Sequence, residues 1–299
     1  MRVTVFSPAK INLYLAVTGR RADGFHDLVS VAAPLEFGDD LAAEPDAAPR
    51  GAVRHALECD DPGLPVDGSN LILRAAAAFA DATGWTQAVR FRLTKRIPVG
   101  AGLGGGSSNA VAALRALNQL AGGIAREEQL AAIAAALGSD CTLFLRNAPV
   151  LLRGRGEKVE ALPAGAARRL HGRRVLLFKP AFGVATAWAY SRLAARAAET
   201  AGVYIPPLAA ERHVADWCAG EAPAEALLGN SFEPVVGDKF VALPALLESL
   251  RREPGAAGQM SGSGSACFAL VRDNQVTAMT ARVRASWGPA AFVHSTRLA

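Results

Sequence analysis

Residues 98–108 read Pro98-Val99-Gly100-Ala101-Gly102-Leu103-Gly104-Gly105-Gly106-Ser107-Ser108, and this glycine tract constrains the chain more than any other segment. It lies between a run at 89–94 that alternates apolar and polar side chains and an alanine-rich run at 108–120. The first pattern is that of a half-buried strand, the second that of a helix. Glycine opens backbone conformations closed to other residues and lets a bulky ligand approach the main chain. A helix starting near Ser107 and Ser108 presents unpaired N–H groups and the positive end of its dipole to the loop. Together these make an anion site, and phosphate is the usual anion. A flexible linker would have a similar composition, but linkers are rarely bounded so tightly by a strand and a helix.

Spacing then separates this tract from other phosphate loops. A P-loop carries Lys-Ser or Lys-Thr after its last glycine, whereas Ser107-Ser108 follows here without lysine. Gly100, Gly102 and Gly105 satisfy the Gly-x-Gly-x-x-Gly spacing of dinucleotide folds. That fold needs an acid about 20 positions on, at the end of a second strand. Glu127 has about that offset but opens a helical stretch. The His-Arg-Asp and Asp-Phe-Gly tripeptides of protein kinases are absent. Spacing alone thus indicates a nucleotide phosphate and leaves the fold open.

At 299 residues the chain can bury a substantial core in one large or two medium domains. Its net charge of +5 is spread over scattered arginine pairs, and only 6% of residues are aromatic, which does not fit a nucleic-acid binder. A mildly basic balance suits an anionic small substrate. Cys59, Cys141, Cys218 and Cys267 are widely spaced, which argues against a zinc site and against a disulfide framework. The N-terminus lacks the apolar stretch of a secretion signal, and the long uncharged run 97–114 is the glycine tract itself. The expected location is therefore cytoplasmic, away from the membrane.

Strands are expected at 3–6, 11–17, 28–35, 53–58, 89–94, 150–153, 175–178, 267–271 and 290–294, where branched apolar residues are bounded by Gly, Pro and Asp. Helices are expected at 71–81, capped by Ser69 or Asn70, and at 108–120, 127–137, 185–198, 208–218, 243–252 and 275–285. Gly138 is expected as the left-handed cap of the third of these. Strands and helices mix without strict alternation, which favours an α+β plan in two lobes. The Pro- and Gly-containing stretch 154–172 is the expected boundary, giving domains of about 1–160 and 161–299.

Three separated segments, Pro8-Ala9-Lys10-Ile11-Asn12-Leu13, residues 98–108 and Ser261-Gly262-Ser263-Gly264-Ser265-Ala266, resemble the three motifs of the small-molecule kinases typified by galactokinase, homoserine kinase and mevalonate kinase. Within them the chain most resembles the family of 4-diphosphocytidyl-2-C-methyl-D-erythritol kinases. That likeness rests on Ser7 to Leu13 and on Gly19-Arg20-Arg21-Ala22-Asp23-Gly24-Phe25-His26. Leu137-Gly138-Ser139-Asp140, Arg155-Gly156-Glu157 and Phe182-Gly183-Val184-Ala185-Thr186 support it.

The resemblance implies a two-lobed α+β kinase fold, with an N-terminal β-rich ATP-binding lobe, a C-terminal α+β lobe and the active site in the cleft between them. It implies ATP and Mg²⁺ as cofactors and a small-molecule cytidine diphosphate conjugate as partner, phosphorylated on a hydroxyl of its methylerythritol part. The protein would be a monomer or homodimer. Residues 98–108 would hold the ATP phosphates, with Ser107 or Ser108 offering a hydroxyl to phosphate or metal, or simply capping the helix. Asp140 would be the general base, and Lys10 its charge partner, since a lysine inside an apolar strand is costly to bury unpaired. Asn12, on the same strand face as Lys10, would bond the acceptor hydroxyls or the phosphate.

His26 would read the cytosine edge and Phe25 would stack on its face. Tyr190, four residues beyond Thr186, would supply the second ring or pack in the core. Gly262, Ser263 and Gly264, with Thr186, would approach the phosphates or the acceptor from the C-terminal lobe. Three positions depart from the family pattern: Cys141-Thr142 replaces Val-Pro, Phe25 replaces Tyr, and Ser231 replaces the acid of Asn-Asp-Phe-Glu. Asn230-Ser231-Phe232-Glu233 carries no expected catalytic role.

Overall fold

Two long strands organise the molecule, β1 (Val3–Arg20) and β2 (His26–Pro45). The computed structural model describes residues 1–46 and 55–299. They form two compact units, one of Met1–Ala9, Phe37–Val99 and Gly104–Asn147, the other of Lys10–Glu36, Gly100–Leu103 and Ala148–Ala299. Both long strands therefore contribute to both units. The sequence reading breaks β1 at its Ser-Pro-Ala-Lys segment, but the strand runs through it. Ser7 to Val17 is buried without alternation, so no period of two marks the strand there. Gly38 of β2 allows close packing at this point: a Cβ on it would lie 2.3 Å from the Ser7 carbonyl oxygen and 2.8 Å from the Pro8 Cα.

In the first unit, the second half of β2 pairs antiparallel with β4 (Val89–Thr94), and β3 (His55–Cys59) pairs parallel with β4. On β4, Val89, Phe91 and Leu93 are buried while Arg92 and Thr94 face outward, as its alternation predicts. Residues 53 and 54 of the expected strand 53–58 lie outside the described residues. Three helices complete the unit, α1 (Leu71–Thr83), α2 (Gly105–Leu120) and α3 (Glu127–Leu137). Of the two candidate caps for α1, Asn70 is the one used, its side chain accepting the Ile72 N–H at 2.9 Å. Helix α2 begins three residues before the expected start, drawing Gly105 and Gly106 into its first turn. Gly138 departs from expectation: its φ of 172° is extended, and it ends α3 through its N–H on the Ala134 carbonyl.

In the second unit, the first half of β2 pairs with β5 (Val150–Gly154), which pairs with β6 (Lys158–Ala161). With the helix α4 (Ala164–Leu170), β6 occupies the stretch 154–172, which composition marks only as a boundary. A separate antiparallel sheet has the order β11-β7-β10-β9, formed by β7 (Arg174–Lys179), β9 (Ala257–Met260), β10 (Cys267–Leu270) and β11 (Phe292–Arg297). Its apolar face packs with α5 (Thr186–Glu199), α8 (Ala242–Arg251) and α9 (Val276–Trp287), joining Leu176, Phe178, Leu193, Leu246, Leu250 and Val283 in one buried cluster. Helix α6 (Pro207–Ala219), the two-residue β8 (Gly229–Asn230), parallel to β1 at Tyr14 and Leu15, and the short α7 (Glu233–Gly237) complete the unit. The content is mixed α and β, as expected.

Candidate active site

The glycine tract starts from a buried polar brace. Asp39 of β2, fully buried, accepts the N–H groups of Arg96 at 2.7 Å and Ile97 at 2.8 Å, just beyond the end of β4. The same carboxylate takes the Lys95 ammonium at 2.7 Å and the Asn109 amide at 2.9 Å. Asn109 also donates to Ser7 Oγ at 2.9 Å, and Ser7 donates to Ser108 Oγ at 2.8 Å. The strand end, the start of β1 and the first turn of α2 are thus locked together. No motif in the sequence marks Asp39 or Asn109, because the partners are far apart in the chain.

At the start of α2, Gly104 takes φ 72°, a left-handed conformation that favours glycine. No side chain caps the helix and no acid lies in its first turn. The Ser108 N–H closes on the Gly104 carbonyl at 2.9 Å, so the N–H groups of residues 105–107 precede the first intrahelical bond. They and the dipole make this end receptive to phosphate. Ser108 is buried in the brace, which leaves Ser107, only half-buried, as the hydroxyl nearer solvent.

Within the second unit, residues 100–103 lie against Lys10 and the turn at 261–266. The Lys10 N–H donates to the Leu103 carbonyl and the Ala266 N–H to the Ala101 carbonyl, each at 3.0 Å. Ser261 Oγ donates to the Gly102 carbonyl at 3.2 Å. Lys10 is buried, and its ammonium donates to Asn12 Oδ1 at 2.7 Å; Asn12 Nδ2 in turn donates to Ser30 Oγ at 2.9 Å. Gly262 sits beside this pair, since a Cβ on it would be 3.4 Å from Asn12 Oδ1 and 3.8 Å from Lys10 Nζ. Thr186 and Ser263 share a hydroxyl hydrogen bond of 2.9 Å. Lys10, Asn12, Gly102 and Gly262 are therefore brought together, with Thr186, the first residue of α5, bonded to Ser263 of the same turn.

Gly102 is the tightest point of that packing. Its φ is +77°, and a Cβ there would lie 2.6 Å from the Ser261 carbonyl oxygen and 3.1 Å from that of Gly264. Gly102→Ala is expected to lower the melting temperature by several degrees, because left-handed strain and a backbone clash both act on the loop. Thermal unfolding followed by circular dichroism checks this.

The Asn230-Ser231-Phe232-Glu233 segment serves this turn as scaffold. Asn230 Nδ2 donates to the carbonyls of Met260 at 2.7 Å and Gly262 at 2.9 Å. Glu233 accepts the Met260 N–H at 2.7 Å and pairs with Arg251 at 2.7 Å. Ser231 Oγ accepts the Val17 N–H at 3.0 Å, so the residue that replaces an acid still anchors β1.

Asp140 lies in the first unit, on the turn after α3, half-buried. The Cys141 N–H closes this turn on the Gly138 carbonyl at 3.0 Å, and a 3-10 turn follows at Thr142–Leu145. Cys141, not Asp140, holds the capping position of that turn. The Cys141 thiol is fully buried and bonded to Ser107, and burial pushes it up to about 11. Of the Cys141-Thr142 departure, Cys141 thus fills core volume beside the glycine loop.

His26 and Phe25 part company. The Phe25 ring is 54% exposed, with the Arg155 guanidinium 4.6 Å from its centroid. His26 is buried, its ring 4.9 Å from Tyr190 and tilted by 35°. Burial, and then the positive charge of Arg20, hold the imidazole below its ordinary range, so it is neutral at pH 7. Tyr190 also packs edge-on against Phe232, at 4.8 Å. Tyr204, which no sequence motif marks, places its hydroxyl 3.2 Å from His26 Nε2. Of the remaining histidines, His213 packs on Tyr14 at 4.6 Å and bonds the Leu227 carbonyl.

Among the described residues no helix is long and apolar enough to cross a membrane. The family description "GHMP kinases N terminal domain" matches residues 70–147, and "GHMP kinases C terminal" matches 219–291. The chain is 39% identical to the 4-diphosphocytidyl-2-C-methyl-D-erythritol kinase of Synechococcus sp. (strain CC9311), over 90% of this chain and 86% of that one. It is 35% identical to the kinase of that name from Prosthecochloris aestuarii, over 97% of this chain and 98% of that one. The chain belongs to the 4-diphosphocytidyl-2-C-methyl-D-erythritol kinase family. A crystal structure of a 4-(cytidine 5'-diphospho)-2C-methyl-D-erythritol kinase matches with TM-score 0.76 and 32% identity, covering 99% of this chain and 100% of that one. The mevalonate kinase of Methanococcus jannaschii matches with TM-score 0.75 at 11% identity, covering 100% of this chain and 99% of that one, and so shares the fold. As a GHMP kinase, this member of the family takes its phosphoryl group from ATP.

Proposed function

We propose that this kinase phosphorylates a hydroxyl of the methylerythritol part of 4-diphosphocytidyl-2-C-methyl-D-erythritol, in the non-mevalonate route to isoprenoid precursors. The observation that carries the reading is the buried His26, held against Tyr190 at 4.9 Å with its imidazole kept neutral, a polar ring suited to hydrogen-bond the edge of a nucleobase. The identity to relatives of that name supports it. ATP dependence and a cytidine substrate suit the cytosol as its place of action.

In this reading the N–H groups at the start of α2 hold the ATP phosphates in place. Asp140 orients the acceptor hydroxyl and takes its proton as the new O–P bond forms to the γ-phosphorus. The bond from that phosphorus to the β–γ bridging oxygen breaks, and ADP leaves with the electron pair. Lys10 offsets negative charge on the acceptor oxygen, while Asn12 holds the ammonium in position and bonds the acceptor. The protein does little covalent work, so rate comes from positioning and electrostatics.

Magnesium fits this site as a partner of the nucleotide. Among the described residues no three His, Cys, Asp or Glu side chains form a metal cage, and magnesium is commonly held by one or two carboxylates together with substrate phosphates. The Ser107 hydroxyl would hold it together with the substrate phosphates. When bound, it would neutralise charge on the phosphate oxygens.

A coupled ADP-release assay tests the reading, with ATP, Mg²⁺ and the cytidine conjugate run beside homoserine and mevalonate. Turnover is expected with the cytidine conjugate alone, and His26→Ala is expected to raise its KM at least tenfold. Turnover of homoserine or mevalonate instead, unaffected by His26→Ala, would overturn the substrate.

A further inference from the structure

The segment between α5 and α6 contains a tyrosine that neither the glycine motifs nor the kinase chemistry uses. Tyr204 is half-buried, and its hydroxyl lies 3.2 Å from His26 Nε2, with the two rings 5.9 Å apart and inclined by 57°. Its position is fixed from the backbone. The Ile205 N–H donates to the Val17 carbonyl at 3.0 Å, and the Val17 N–H donates to Ser231 Oγ at the same distance. A side chain anchored through two steps to β1 and Ser231 is set where it can hold another residue's orientation.

A neutral imidazole has one nitrogen that donates and one that accepts, and the partner of one decides the role of the other. Among the described residues, Nε2 is the ring nitrogen engaged by hydrogen bonding. Burial lowers the His26 pKa and raises that of Tyr204, so both are neutral near pH 7 and the phenol keeps its proton. Between a phenol and a neutral imidazole, the phenol is the better donor and the bare ring nitrogen the better acceptor. The proton of His26 then sits on Nδ1.

We infer that Tyr204 is a specificity-determining positioning residue: by donating to Nε2 it holds His26 as the Nδ1–H tautomer, which presents a hydrogen-bond donor to the acceptor edge of cytosine. This rests on the cytidine reading given above. Cytosine offers acceptors at N3 and O2, whereas uracil carries a proton on N3. A fixed donor at His26 therefore rejects uracil by leaving two N–H groups opposed, the kind of mismatch that discriminates strongly in a buried site.

The test is Tyr204→Phe, which keeps the ring and removes only the hydroxyl. Losing one neutral hydrogen bond is expected to raise KM for the cytidine conjugate about 3- to 10-fold, with kcat and the KM for ATP unchanged. The preference for the cytidine over the matching uridine conjugate is expected to shrink. Nitrogen-15 NMR of the imidazole in the whole protein should show a single Nδ1–H tautomer in the wild type and a mixture in Tyr204→Phe. An unchanged KM and tautomer would overturn the inference. So would a fall in kcat and ATP affinity together, which would mark Tyr204 as merely structural. A wild-type enzyme silent on the cytidine conjugate would overturn the substrate reading instead, while the tautomer would still decide whether Tyr204 sets His26.

Discussion

Asp140→Asn is expected to lower kcat about 1,000-fold while leaving the KM for ATP and the melting temperature close to those of the wild type. The substitution keeps size and one oxygen acceptor, so the amide can still orient the acceptor hydroxyl. It removes the ability to take the proton, and that loss falls on the chemical step. ATP binding should survive, because the groups suited to phosphate are main-chain N–H groups at the start of α2. Stability should survive because the turn is closed through backbone, Cys141 N–H to Gly138 carbonyl, and the cap of the next turn is Cys141. Single-turnover quench-flow with saturating ATP isolates the affected step. A variant that folds normally and keeps a tenth or more of its rate would remove Asp140 from the base role.

The readability of this molecule depended on how local each signal was. Strand β4 could be read residue by residue because one face of it is buried and the alternation survives. Strand β1 could not, because Ser7 to Val17 is buried on both sides and carries Pro8, which reads as a break. Helix α2 starts three residues before the point its pattern indicates, because glycine disfavours helix interiors, while Gly104 in a left-handed conformation begins the helix ahead of Gly105 and Gly106. Lys10, Asn12 and the two glycine turns were legible because each motif is contiguous. Asn230 and Tyr204 were not, since their partners, the Gly262 carbonyl and His26, lie 32 and 178 positions away. Contacts at that separation leave no period or spacing in a single sequence.

The same reasoning makes Asp39 the most consequential residue that no motif announces. Asp39→Ala is expected to destabilise the fold by about 3 to 5 kcal/mol, the usual effect of removing one member of a buried ion pair. Lys95, with only 6% of its side chain exposed, would keep a charge in a site closed to water. The N–H groups of Arg96 and Ile97 would lose their acceptor as well, and the buried Ile97 donor left unpaired adds to the loss. In a chain of this size the melting temperature should fall by about 10 °C. Lys95→Met alone should also destabilise, because it leaves the carboxylate unpaired. The double variant is the deciding measurement. If the pair acts as a unit, Asp39→Ala with Lys95→Met should cost clearly less than the sum of the two single changes. The brace also holds residues 95–97 and Ser108 on either side of the glycine tract. The residual folded enzyme should therefore show a raised KM for ATP, with the KM for the acceptor little changed. Strict additivity of the two changes, or an unaltered KM for ATP, would mean that Asp39 and Lys95 stabilise the unit independently and leave the phosphate loop to hold its own shape.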